Sequence, residues 1–169
     1  MPEYVDKLRV TVWVSRPGDP AVEGTLSLLP QSAHHAGPET LLDLLDRADS
    51  FLPFERTADD AVLLISRPDI QWVKAGPGVD SELIRPRAYR FTHEERVRIC
   101  LRGGETLDGV IHMELPENLN RVSDYLNGHE RFFPLATREG MFLVHKSAVR
   151  EVCLFDSSPL PITDAVGEG

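Results

Sequence analysis

The chain lacks most of the features by which a sequence declares its chemistry. Only two of its 169 residues are cysteine, Cys100 and Cys153, which fits a reducing compartment and reads as two free thiols. No apolar run approaches the roughly 18 residues of a membrane-crossing helix. The start, Met1-Pro-Glu-Tyr-Val-Asp-Lys7, has neither the basic region nor the apolar core of a signal peptide, so a cytoplasmic location is expected. The sequence contains no Gly-x-Ser-x-Gly elbow, His-Glu-x-x-His helix, Cys-x-x-Cys pair or Gly-Lys-Ser/Thr phosphate loop, so the expectation is a non-enzyme with no cofactor and no metal. His34-His35 could seed a metal site, but no matching ligand cluster accompanies it, and a solvated pair is the plainer reading.

Positive charge is also short. The formal net charge is −9, which opposes general binding to nucleic acid, because phosphates repel such a surface. The deficit is uneven: residues 1–82 hold 14 acids against 7 bases, residues 83–155 hold 10 against 11, and the remainder holds 3 acids and no base. Any anion site therefore belongs in the second half. Arg85, Arg87, Arg90, Arg96, Arg98 and Arg102, interleaved with Tyr89 and Phe91, form its cationic cluster. Such interleaving suits single-stranded nucleic acid, although pairing of these arginines with the acidic first half or with another subunit accounts for them better.

What the chain does have is self-similarity. Thr40–Phe54 and Arg121–Leu135 share one pattern without a gap: Asp43 answers to Asp124, Leu44-Leu45 to Tyr125-Leu126, Phe51-Leu52 to Phe132-Phe133, and Pro53 to Pro134. Around it the halves repeat in order. Val10–Val14 and Val97–Leu101 alternate apolar and polar residues as half-buried strands do. Gly24–Leu28 matches Gly109–Met113, Val62–Ile65 matches Met141–Val144, Arg67 matches Lys146, and Ile70 with Val73 matches Val149 with Val152. The spacing of Leu41, Leu44, Leu45 and Ala48 predicts a short helix with Asp43, Asp46, Arg47 and Asp49 facing water. Ala61–Ile65 has the apolar density of a buried strand, and Phe51, Phe132 and Phe133 are expected in the core.

These observations predict a mainly β protein of two tandem small β-barrels, each of about five strands with a short helix, packed as a pseudo-symmetric pair. The first module is placed at residues 1–75, a Gly-Pro-Gly linker or arm at 76–88, the second module at 89–155 and a disordered acidic tail at 156–169.

Leu101-Arg-Gly-Gly104, Gly109, Asn120 and Gly140-Met-Phe-Leu-Val-His-Lys146 stand in the order in which Sm-like small barrels, of the wider SH3-like group, carry their strand glycines, loop asparagine and late strand-pair motif. The second half resembles that group, with a helix inserted between the second and third strands and Ser147 where the group has glycine. The Ser-Asp-Tyr-Leu-Asn and Phe-Phe-Pro-Leu segments also resemble a group of uncharacterised bacterial domains, which brings no activity. Small barrels leave strand edges that accept a partner strand. The leading expectation is thus a non-catalytic protein-interaction or scaffolding module that binds a protein partner or itself. Behind it stands a regulatory binder of RNA or an anionic small molecule using Arg98, Arg102, Asn120 and Lys146, and last an unrecognised hydrolase.

Overall fold

The computed structural model describes residues 7–86, 93–113 and 121–155. The strands are β1 (Leu8–Ser15), β2 (Val22–Leu28), β3 (Phe51–Arg56), β4 (Val62–Ser66), β5 (Trp72–Ala75), β6 (His93–Leu101), β7 (Thr106–Met113), β8 (Phe132–Thr137), β9 (Gly140–His145) and β10 (Val149–Leu154), with helices α1 (Leu41–Leu45) and α2 (Val122–Leu126). All ten strands join one antiparallel sheet in the order β10-β6-β7-β8-β9-β5-β1-β2-β3-β4. The protein is mainly β, as the alternation implies. Its strands do not form a closed barrel, because β5 pairs with β9 and makes one open sheet of both halves. No helix among the described residues is long and apolar enough to cross a membrane.

Each half runs its strands in the same order, β5-β1-β2-β3-β4 in the first and β10-β6-β7-β8-β9 in the second. The registers also correspond. Gly24 lies opposite Val12 and Gly109 opposite Val97; Val14 opposite Val73 and Ile99 opposite Val152. Thr25 faces Glu55 as Val110 faces Ala136, and Phe51 faces Ser66 as Phe132 faces His145. One sequence equivalence shifts: Val97 stands where Val12 does, not Val10. A slip of two residues keeps every side chain on its face, so alternation alone does not settle it.

Two glycines show why the correspondence reaches this far. A Cβ on Gly24 would lie 2.5 Å from the Glu55 carbonyl oxygen and inside the Phe54 ring, and a Cβ on Gly109 would lie 2.5 Å from the Ala136 oxygen and 2.8 Å from Leu135. In both halves the third strand crosses so close to the second that only glycine fits.

The prolines inside β3 and β8 obey the same logic. The Arg56 N–H donates to Ala61 at 2.8 Å and the Lys146 N–H to Arg131 at 2.9 Å, and the antiparallel alternation from these points turns the nitrogens of Pro53 and Pro134 away from β4 and β9. They point to the β2 and β7 sides beyond the last ladder pair there, so no ladder bond is lost.

Helix α1 starts at Thr40, whose hydroxyl accepts from the Asp43 N–H at 3.2 Å while the Asp43 carboxylate accepts from the Thr40 N–H at 2.9 Å. This reciprocal cap satisfies two otherwise orphaned donors, and the helix buries Leu41, Leu44 and Leu45 in the first core. It ends before Ala48, so its apolar stripe is shorter than the spacing predicts. Helix α2 stops at Asn127, which has φ −83°, without the left-handed cap that Asn-Gly invites.

Two apolar cores form, one per half, and each borrows from the other. Phe132 and Leu143 of the second half lie in the first core, and Trp72 of the first half lies in the second. The Gly-Pro-Gly segment is followed by a 3-10 turn at Ser81–Leu83, and Ile84 is buried in the first core. The tail 156–169 lies outside the described residues.

Candidate functional site

The structure places the nominated basic residues in separate local bonds. Arg98 on β6 donates to the Asp108 carboxylate on β7 through Nε at 2.7 Å and Nη2 at 3.0 Å. That bidentate contact holds Asp108 below the usual carboxylate range and raises the guanidinium. Arg102, in the β6–β7 hairpin, donates through Nε to the Ser147 carbonyl at 2.9 Å. Lys146, in the turn between β9 and β10, donates through Nζ to the Gly128 carbonyl at 3.2 Å, and burial pushes its pKa down. Arg102 and Lys146 thus share a corner, Arg98 sits in its own pair, and Asn120 lies outside the described residues.

The wider cluster also has internal partners. Arg85 is buried and donates to the His112 carbonyl and the Tyr125 hydroxyl, each at 2.9 Å. The Arg96 guanidinium sits 4.7 Å from the centre of the Phe155 ring. These contacts stay within the second half; Arg87, Tyr89, Arg90 and Phe91 lie outside the described residues. His35 is not a freely solvated residue, because its Nε2 meets the Asp43 carboxylate at 2.6 Å. Among the described residues no three His, Cys, Asp or Glu side chains converge as a metal ion would require. Cys100 and Cys153 are free thiols on paired strands, Cys153 opposite Arg98 and Cys100 opposite Glu151.

The arrangement that distinguishes the molecule is the joint between its halves. Trp72 pairs with Val144, Val73 with Leu143 and Lys74 with Phe142, and the His145 N–H donates to the Gln71 carbonyl at 2.9 Å. Phe132 and Leu143 cross this joint into the first core, with Met141 packed beside them. Asp46, which the helical spacing turns toward water, instead accepts from the Arg131 N–H at 2.9 Å and the Phe132 N–H at 3.1 Å. Burial raises the Asp46 pKa above its ordinary value against the pull of these two donors. Arg131 in turn donates to the Asp46 and Arg47 carbonyls that end α1. The His145 ring stacks on Phe132 at 4.4 Å, and its Nδ1 donates to the Ile70 carbonyl at 2.9 Å. Burial lowers its pKa, so the neutral ring is the one that locks the joint.

The edges left over are β4 at one end of the sheet and β10 at the other. Among the described residues the most exposed large apolar side chains are Val62 at 67%, Leu64 at 66%, Leu154 at 57% and Phe51 at 56%, and all lie on these edge strands or on β3 beside one. The run Ala61–Ile65 is therefore a buried strand only on one face: Ile65 enters the core while Val62 and Leu64 face out. Phe51 likewise departs from its expected core place, since among the described residues no strand lies beyond β4 to cover it. β4 carries no charge, proline or bulge of the kind that blunts a free edge. No protein-family model matches this chain, and neither does any curated protein or solved structure.

Proposed function

We propose that the protein is a non-catalytic interaction or scaffolding module, built from two copies of one five-stranded unit of the small-barrel kind, that works by strand addition at its β4 edge. The observation that carries this reading is the open apolar strip of Phe51, Val62 and Leu64 along an unblunted edge. Strand addition supplies main-chain hydrogen bonds for affinity, while alternate side chains select the partner. The equal strand order and registers of the halves support duplication, because independent sequences would have no reason to repeat both close glycine crossings.

On β4 the N–H groups of Leu63 and Ile65 point to β3, and those of Leu64 and Ser66 point outward. In an isotope-labelled sample dilute enough to be a single chain, hydrogen exchange at Leu64 and Ser66 should slow when extract of the native cell is added, and Leu64→Lys should abolish the slowing. Unchanged exchange at both amides overturns the reading.

A second reading, binding of RNA or an anionic small molecule, draws on Arg102 and Lys146 sharing a corner. It requires salt-dependent oligonucleotide binding that is lost when Arg98 and Arg102 are changed to Glu.

A further inference from the structure

The apolar side chains exposed on the β3–β4 edge have counterparts at the joint, and there they are buried or, in the case of Met141, partly buried against the first core. By the register correspondence, Phe51 stands for Phe132, Val62 for Met141 and Leu64 for Leu143. Phe132 and Leu143 are 1% and 0% exposed, in the core of the opposite half. The first half thus carries the same projecting set as the second, with nothing among the described residues to insert it into.

The second half shows the complementary deficit. Leu44, Leu45, Ile70 and Val73 are buried in the first core, which Phe132 and Leu143 close. Their counterparts Tyr125, Leu126, Val149 and Val152 are only partly buried at the rim of the second core. The backbone agrees as well: Phe155 donates to the Arg96 carbonyl, so the alternation along β10 turns the Val152 N–H outward, as the Val73 N–H is turned toward β9. Asn127 stands where Asp46 does and offers the same carbonyl-type oxygen to incoming N–H groups.

We propose that the occupant of the β4 edge is the β10 edge of a second copy of this chain, antiparallel, with Leu64 opposite Val152 and Phe51 and Leu64 seated on the rim of the second core. This rests on the edge-binding reading above and names its partner. The contact repeats the internal joint, so it is heterologous, and an open assembly keeps one free edge of each kind, so that it either closes into a ring or grows as a filament.

The test uses two full-length variants: Leu64→Lys, which spoils β4 alone, and Val152→Pro, which removes an outward N–H of β10 without touching the β6 ladder. Circular dichroism checks that both fold. By light scattering the wild type should have at least twice the 18.9 kDa of one chain, each variant alone should be a single chain, and an equimolar mixture should form a one-to-one complex of twice the chain mass. A wild type that stays single at all concentrations overturns the proposal, as does a mixture that fails to form the complex or a Val152→Pro variant that still dimerises alone, which would mean β4 pairing with β4. If β4 amides are slowed by native extract in either case, the interaction reading survives without self-pairing; if they are not, both fail.

Discussion

Phe132 and Phe51 occupy the same place in their strands, each followed by an apolar residue and a proline, and they meet opposite fates. Phe132 is 1% exposed under α1 and Phe51 is 56% exposed. Nothing in their immediate sequence separates them. The neighbouring strand does, because β9 has β5 beside it and β4 has no outer neighbour among the described residues. Burial here is thus a property of the edge's partner and not of the unit.

Breaking that comparison should give the largest effect. Phe132→Ala empties a closed core and is expected to cost about 4 kcal/mol in denaturant unfolding, whereas Phe51→Ala in dilute protein should stay within about 0.5 kcal/mol. Equal losses would mean that the two positions are not distinguished by cover.

The glycine crossings should instead behave alike. Gly24→Ala and Gly109→Ala each force a Cβ into a facing carbonyl, and each is expected to cost about 3 kcal/mol, as overpacking does. A large difference between them would argue against a shared unit.

Asp46 sharpens the picture at the joint. Asp46→Ala leaves two N–H groups without their acceptor and should cost about 2 kcal/mol. Asp46→Asn keeps the oxygen and should be neutral or stabilising near neutral pH. The sign follows from burial raising its pKa: folding favours the protonated acid, so that stabilisation is full below the ordinary value of 3.8 and is lost as pH rises through the folded value. Above it the charge is a cost that asparagine does not carry. Asn127 in the second half is that substitution already made.

His145 gives the smallest effect. Its pKa lies below the ordinary 6.5 because the ring is buried, so the unfolded chain takes up the proton first. Stability is undiminished above that ordinary value and falls as pH drops through it toward the folded value. Chemical denaturation at about pH 7.5 and about pH 5.5 should show a loss on acidification that His145→Gln reduces; an equal loss in both proteins would assign the pH dependence elsewhere.

Much of the fold was legible because local rules wrote it. Alternation marked Val10–Val14 and Val97–Leu101 as strands, and the match of Gly24–Leu28 with Gly109–Met113 aligned the two glycines, although not the close crossings they permit. The two-residue slip between Val10 and Val12 as the partner of Val97 was not legible, since period-two patterns repeat under it. The open sheet was not legible either: the β5–β9 pairing joins residues far apart in sequence, and no local signal names an edge's neighbour. A trace of it existed in Phe132-Phe133 and Phe51-Leu52, where consecutive apolar residues call for cover on both faces of a strand. Of the nominated basic residues, the described ones had roles that charge patterning does not display: Arg98 held by a cross-strand carboxylate, Arg102 and Lys146 satisfying backbone carbonyls.

The most direct measurement asks whether the β4 edge meets β10 in the register of the internal joint. Lys74 and Phe142 form a non-hydrogen-bonded pair there, the closer kind, suited to a disulfide, and their counterparts are Cys153 and Leu63. With Cys100→Ser in place, Leu63→Cys should give intermolecular disulfides through Cys153 when treated with diamide, seen as multimers on a non-reducing gel, and Cys153→Ser should abolish them. Absence of the crosslink, or its persistence without Cys153, would contradict the account.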